Sequence, residues 1–267
     1  IGVFGGDIIN ITGIMLGEPT NKVIASIGGI QCARTERISE ERVVCETAPG
    51  TGKAQPIQVH VFQRPDGSGK EAIGQGAHAV VSYMSPYVYC IDPASSAPQG
   101  GTKMSIWGRN FGSNPAQTIT AHIGGIACEN TTRMTDHLIT CVTPAGTGSD
   151  LDVTVEVSGP SGSHSSTEFT KESNKLFSYE PVKIVSLHEN IGPAAGKSIF
   201  MIKGHNFGGG ILTASAFVGE RPCLKTEFVH QGVLMCTAPI GGVGQQPVVV
   251  KVGSFTSGDH PEFNFTY

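Results

Sequence analysis

Residues 123–128 read Ile-Gly-Gly-Ile-Ala-Cys, and residues 141–148 read Cys-Val-Thr-Pro-Ala-Gly-Thr-Gly. Two related versions of this pair of segments occur elsewhere in the chain, one with Cys32 and Cys45 and one with Cys223 and Cys236. The two cysteines are 13 residues apart in each version (45 − 32, 141 − 128 and 236 − 223), and the first cysteines are 96 and 95 residues apart (128 − 32 and 223 − 128). We therefore predict three copies of one unit.

The composition favours short strands joined by turns. The 267 residues include 36 glycines and 16 prolines, and only 15% of them are charged. The formal net charge of −4 gives no electrostatic attraction to a phosphate backbone, so we predict no nucleic-acid partner.

Apolar residues alternate with polar ones at matching places in the three units, which is typical of a strand with one buried face. The clearest strand carries Ile57, Val59 and Val61 in the first unit, Val153, Val155 and Val157 in the second, and Val248, Val250 and Val252 in the third. About seven such strands in some 90 residues favour an all-β fold of three tandem immunoglobulin-like β-sandwiches over a barrel. The predicted domains are residues 1–84, which lack the first strand, 85–179 and 180–267.

The six repeated cysteines are interpreted as three disulfides within the units, Cys32–Cys45, Cys128–Cys141 and Cys223–Cys236. The alternative is that all six are buried free thiols, since cysteine is also a common core residue. Cys90 has no counterpart. It is expected to be a buried thiol in a strand, or else to pair with another chain or with a residue outside this sequence.

The shared order of motifs resembles tandem IPT/TIG domains, the immunoglobulin-like modules of plexins, Met-type receptors and fibrocystin-like proteins. The second unit carries Ile106, Gly108 and Asn110-Phe111-Gly112 before its cysteine motifs and ends on Phe177 and Tyr179. The first unit has Ile14-Met15-Leu16-Gly17 where its sisters have an Asn-Phe-Gly sequence. The resemblance implies an extracellular location and a spacer or protein-binding role in a cell-surface, adhesion or coat glycoprotein.

Prolines lie within a few residues of the aromatic that closes the first and second units, at Pro86 and Pro181. Such short linkers limit bending, so we expect an elongated, semi-rigid rod. The hairpin loops at residues 63–70 and 158–167 differ most between units, and they are either solvated loops or partner contacts.

Three Asn-x-Thr sequons make Asn10, Asn130 and Asn264 glycosylation candidates, and the strand pattern places Asn10 and Asn264 on outward faces. Trp107, the only tryptophan, falls at an outward strand position. It is the candidate partner contact, because tryptophan is enriched at binding hot spots. The alternative is that it packs against a neighbouring unit or a glycan.

No catalytic motif, metal-ligand spacing or cofactor motif occurs, so we predict no enzyme activity, no metal and no cofactor. The nine histidines are interpreted as surface residues. We expect the sequence to be part of a longer protein, with any membrane attachment outside it. The predicted partner is a protein on another cell or in the same surface assembly, and self-association is left open.

Two other functions are considered. The units would be accessory modules of a secreted carbohydrate-active enzyme, or, less favoured because of the acidic balance and paired cysteines, an intracellular dimerisation module of a transcription factor.

Overall fold

A computed structural model describes residues 1–112, 114–166, 176–209, 211–258 and 260–267 of the chain. All its regular elements are strands, and they form three successive two-sheet sandwiches. The predicted all-β, immunoglobulin-like architecture is therefore confirmed. None of the described residues forms a helix of the length and apolarity that a membrane crossing requires.

The first domain pairs a sheet of order β1-β5-β4 with a sheet of order β3-β2-β6-β7. Its strands are β1 (Ile8–Thr12), β2 (Lys22–Ile27), β3 (Ile30–Gln31), β4 (Arg34–Ser39), β5 (Arg42–Glu46), β6 (Gln55–Phe62) and β7 (Glu71–Val81).

The second domain has a sheet of order β13-β14-β10-β8 and a sheet of order β12-β11-β15-β17-β9, with β16 also paired to β15. Its strands are β8 (Tyr87–Asp92), β9 (Ser95–Ser96), β10 (Lys103–Arg109), β11 (Thr118–Ile123), β12 (Ile126–Ala127), β13 (Glu129–Arg133), β14 (Leu138–Val142), β15 (Leu151–Gly159), β16 (Gly162–Ser165) and β17 (Leu176–Tyr179).

The third domain repeats this plan, with sheets of order β18-β19-β23-β22 and β21-β20-β24-β25 and with β26 also paired to β24. Its strands are β18 (Lys183–His188), β19 (Ile199–His205), β20 (Ala214–Val218), β21 (Arg221–Pro222), β22 (Lys225–His230), β23 (Val233–Thr237), β24 (Gln245–Val252), β25 (Phe255–Thr256) and β26 (Asn264–Thr266). The three-stranded sheet of the first domain has no described counterpart of β8 or β18.

The sandwich cores are built from the alternating residues that the sequence pattern identified. In the second domain Val153, Val155 and Val157 on β15 face Ile106 and Ile139 from the other sheet, all at most 1% exposed. The core of the first domain is divided into two smaller clusters, one around Tyr83 and one around Leu16. Because its buried side chains form two small clusters instead of one continuous core, the first domain is the least well packed of the three.

In the second and third domains an Asn-Phe-Gly sequence connects the core to the linker in front of it. Phe111 and Phe207 are fully buried, while Asn110 and Asn206 take a left-handed backbone conformation with φ of 60° and 62°. The Asn110 amide donates to the carbonyl oxygen of Ser85 at 2.9 Å, and the Asn206 amide donates to that of Pro181 at 3.1 Å. Each asparagine therefore holds the linker that joins its domain to the preceding one.

Candidate interaction surfaces

The cysteine pairs have one backbone frame in all three domains. The amide of the first cysteine donates to an alanine carbonyl in each case, with distances of 2.9 Å for Cys32, 2.8 Å for Cys128 and 2.9 Å for Cys223. A threonine three residues further on accepts a hydrogen bond from the same alanine's amide; these threonines are Thr35, Thr131 and Thr226. The frame brings the paired sulfurs of each domain together.

Two of the three predicted disulfides are present, Cys32–Cys45 and Cys223–Cys236, each with its Cα atoms 5.7 Å apart. The structure differs from the prediction at Cys128 and Cys141, which are buried free thiols in it. These two thiols are hydrogen-bonded to each other, and this contact together with burial raises the pKa of Cys128. Next to this pair, the second domain has a bulge in the β13–β14 ladder between Glu129 and Thr132, where Asn130 has a φ of 50°.

An aromatic face covers the outer side of the sheet that contains β10. Trp107 lies on β10, opposite Cys90 on β8 and Leu138 on β14, and is partly buried. Next to it the Tyr87 and Tyr89 rings meet edge to face with centroids 5.2 Å apart. The Arg109 guanidinium lies 5.2 Å from the Tyr87 ring centroid. Planar rings with a fixed cation beside them are features of protein and sugar contacts.

Cys90 is a free thiol in strand β8, as expected, but it is only partly buried because its neighbour across the ladder is the outward-facing Trp107. It therefore belongs to the aromatic face rather than to the core.

The sequons differ in accessibility. Asn10 is exposed, but its side-chain oxygen accepts two hydrogen bonds from Arg42. Asn264 is partly buried, and its amide donates to the carbonyl oxygen of Pro261. Asn130 is exposed on β13.

Histidines were expected on the surface, and His164 departs from this, being 4% exposed. It lies on β16 opposite Val157, on the inward side of the sheet. In the described part of the chain, no three His, Cys, Asp or Glu side chains converge as metal ligands would.

The hairpin turn between β15 and β16 makes the junction between the first and second domains. The Ser161 hydroxyl donates to the carbonyl oxygen of Thr51 at 2.7 Å, and the Thr51 hydroxyl donates to the carbonyl oxygen of Gly162 at 2.7 Å. The Gln117 amide adds a bond of 3.3 Å to the carbonyl oxygen of Gly50. Thr167, at the end of the predicted loop, lies outside the described residues.

The junction between the second and third domains uses the same elements. Ser254, in the turn between β24 and β25, donates to the Thr147 hydroxyl from its amide at 3.2 Å and from its own hydroxyl at 3.0 Å. Phe255 packs against the cores of both domains. A cleft of about 920 Å³ runs along this junction, with Ile126, Ile211, Phe228 and Val229 in its walls.

Sequence reasoning missed these docking residues. A signal was present, since a threonine follows the glycine at residues 50 and 146, and a serine occupies both hairpin turns. The partners are 110 residues apart at the first junction and 107 at the second, so only folding brings them together.

Comparison with known proteins finds the same family in all three domains. The family model described as "IPT/TIG domain" matches residues 2–73, 86–171 and 181–267. Human Plexin-B3 is 31% identical over 174 residues, which are 63% of this chain and 9% of that protein. Fibrocystin-L from Mus musculus is 25% identical over 238 residues, which are 88% of this chain and 5% of that protein. The chain thus spans less than a tenth of either relative.

Among solved structures, the full extracellular region of Plexin A4 aligns with 97% of this chain and 32% of its own, at 17% identity and a TM-score of 0.35. The surface glycan-binding protein PbSGBP-B from Prevotella bryantii aligns with 69% of this chain and 43% of its own, at 17% identity and a TM-score of 0.36.

Proposed function

Because the chain belongs to the IPT/TIG domain family, which matches three successive segments of it, we propose that it is part of the ectodomain of a large cell-surface, adhesion or coat glycoprotein. There it acts as a semi-rigid spacer and a protein-binding array without enzyme activity. The disulfides Cys32–Cys45 and Cys223–Cys236 support the extracellular location, because such bonds persist in oxidising compartments. The same bonds argue against an intracellular dimerisation module.

The observation that carries the spacer role is the repetition of one docking contact at both junctions. A hairpin turn of the following domain is hydrogen-bonded to the Gly-Thr-Gly loop of the preceding one, at Thr51 and at Thr147. The linkers are held as well, through Asn110 and Asn206. Two separated attachments at each junction oppose both bending and twisting, which a flexible linker would allow.

Small-angle scattering tests this role. The wild-type chain is expected to give a narrow distribution of maximum dimensions typical of three domains placed end to end. The double variant Thr51→Val and Ser161→Ala, and the variant Thr147→Val, remove the hydroxyl contacts and should broaden that distribution. Thr20→Val, at an exposed turn position, is the matched control. Scattering from three domains collapsed on one another, or identical scattering from all variants, would contradict the spacer role.

For the binding role we place the partner contact on the aromatic face of the second domain. Fluorescently labelled chain is titrated onto cultured cells, and Trp107→Ala should weaken retention by about tenfold or more, as the loss of a buried aromatic anchor does. Lys203→Ala, at the equivalent strand position of the third domain, should leave retention unchanged. Equal retention of both variants and the wild type would remove this face as the contact. Sedimentation of the wild-type chain over a range of concentrations tests self-association.

The same face favours a second candidate, a glycan-binding accessory module of a carbohydrate-active enzyme, because Tyr87, Tyr89 and Trp107 together offer ring surfaces on which sugars stack. Calorimetric titration with soluble plant and bacterial oligosaccharides distinguishes glycan binding from protein binding. Saturable heat that disappears in Trp107→Ala supports the glycan-binding role, and its absence with every oligosaccharide opposes it.

A further inference from the structure

Each domain carries a surface that we call the socket. In the first domain it consists of the glycine turn at Gly28, the side chain of Gln55 and the loop at residues 50–52. The Ser161 turn of the second domain sits on it: a Cβ atom added to Gly28 would lie 2.9 Å from the Ser161 Cβ, and one added to Gly52 would lie 2.8 Å from the Ser161 carbonyl oxygen. Thr51, at the centre of this contact, is only 1% exposed. The socket is a close-fitting seat for a turn made of small residues.

The second domain uses its socket in the same way. A Cβ atom added to Gly253 in the third domain would lie 2.7 Å from the Thr147 side chain. At both junctions, therefore, the residue opposite the threonine is a glycine or serine in the hairpin turn of the next domain.

The third domain has the residues of the first domain's socket. Gly219 corresponds to Gly28, since each donates its amide to a proline carbonyl oxygen, at 2.7 Å to Pro247 and at 2.9 Å to Pro56. Gln246 lies against Gly219 as Gln55 lies against Gly28. Gly241 meets the ring of Tyr267 as Gly50 meets that of Tyr83. The second domain has Leu151 and Asp152 in place of the glutamine and proline, so the third socket resembles the first more closely.

The third socket differs from the others in its loop and its exposure. Its walls enclose an open groove of about 690 Å³ that includes Gly219, Gln246 and Tyr267. Gly242 and Val243 replace the threonine, and Val243 is 94% exposed. The loop beside this groove therefore presents backbone groups and the exposed Val243 side chain where the other sockets offer a hydroxyl.

We propose that the socket of the third domain is a docking site for the β-hairpin turn of a further IPT/TIG module joined after Tyr267. Its residues are equivalent to those of the first socket, which seats such a turn in this chain, and at both observed junctions the turn belongs to the next domain. The absence of the threonine hydroxyl predicts that the turn is held by backbone hydrogen bonds and by apolar contact with Val243. The inference rests on the proposed spacer array but not on any binding partner.

A disulfide cross-link tests the proposal. A second copy of residues 84–179, which are the second domain with its natural linker, is fused after Tyr267 of the full chain. Cys90 is replaced by serine in both copies of the domain. Gly242→Cys is combined with Ser161→Cys in the appended copy. Position 242 suits this change, because a Cβ atom there meets nothing within 4 Å. The matched control is Ser215→Cys, an exposed strand position of the same domain. The reference is Thr51→Cys with Ser161→Cys in the unextended chain.

We expect the Gly242 pair to cross-link at the rate of the reference pair and about tenfold or more faster than the Ser215 control, because docking raises the effective concentration of the two thiols. If the reference pair links but the Gly242 pair is no faster than the control, this proposal fails and the spacer array stands. If the reference pair also fails to link, the docking on which the array depends fails with it. Cross-linked dimers of the unextended chain carrying Gly242→Cys with Ser161→Cys would show that a second copy takes the socket, and would overturn the proposal.

Discussion

The ring of Tyr267 lies directly on Gly241, so close that a Cβ atom at position 241 would be 2.1 Å from the ring. The hydroxyl of the same tyrosine donates to the carbonyl oxygen of Pro239 at 2.9 Å. Tyr179 makes the corresponding pair of contacts with Gly146 and with the Pro144 carbonyl oxygen. In each case the last strand of a domain is thereby fastened to the loop that forms its socket.

Gly241→Ala should destabilise the third domain by about 2–4 kcal/mol, because the ring has to move out of a packed position to admit the methyl group. Gly242→Ala is the neighbouring control, since a Cβ atom there meets nothing within 4 Å, and it should change stability by less than about 0.5 kcal/mol. Chemical denaturation followed by fluorescence measures both. Equal stability of the two variants would mean that the Tyr267 ring is not fixed against the loop.

Tyr179 should be the tyrosine that resists ionisation. Burial is the main cause that raises its pKa from 10.0 to about 12. Since the folded state holds the proton more tightly than the unfolded state, the stabilisation is complete below pH 10.0 and is lost as the pH rises towards about 12. Ultraviolet titration of tyrosinate in the folded protein should show a late phase that Tyr179→Phe reduces by one tyrosine, because burial also raises the pKa of Tyr83 and of Tyr267. In denaturant, the variant should differ from the wild type only by the amplitude of one ordinary tyrosine. A late phase of undiminished amplitude in folded Tyr179→Phe would refute the assignment.

Secreted protein should contain one free thiol per chain. Cys128 and Cys141 have the backbone frame of the two bonded pairs and already contact each other, so we expect an oxidising compartment to join them and to leave only Cys90. Alkylation in denaturant without reduction, followed by peptide mass spectrometry, counts the labelled cysteines. Label on Cys128 and Cys141 as well as Cys90 would show that the thiol form in the structure is the native one.

Met15→Asn should stabilise the first domain. Met15 is 88% exposed and has a φ of 58°, in the place where the sister domains have Asn110 and Asn206. Asparagine tolerates the left-handed conformation better than methionine, so a gain of about 0.5–1 kcal/mol is expected. Thermal unfolding measures it, with Ile14→Asn as the control, because Ile14 is also exposed, at 80%, but is not in that conformation. A gain shared by both variants would mean that replacing an exposed apolar side chain by a polar one stabilises the domain, and that relief of backbone strain is not the cause.

Asn130 should carry glycan more completely than Asn10 or Asn264. Its side chain is exposed, whereas those of Asn10 and Asn264 are engaged with Arg42 and with the Pro261 carbonyl oxygen. Intact mass of protein secreted from mammalian cells, before and after glycosidase treatment and with Asn130→Gln, measures the occupancy. An unchanged mass in Asn130→Gln would exclude this site.

The sequence alone determined the repeated β module. Side chains that alternate along a strand, such as Val153, Val155 and Val157, share one face, and the recurring cysteine spacing reveals the repeated unit. These are local consequences of backbone geometry, and so they can be deduced from neighbours in the chain.

Only the tertiary structure decided how the modules meet and what surfaces they expose. Thr51 and Ser161 are 110 residues apart, and their contact depends on the direction in which one sandwich leaves the previous one. The aromatic face beside Trp107 likewise requires the register between β8 and β10, including its shift after Trp107. Long-range packing sets these relationships, and no periodicity along the chain encodes the position of one folded domain relative to another.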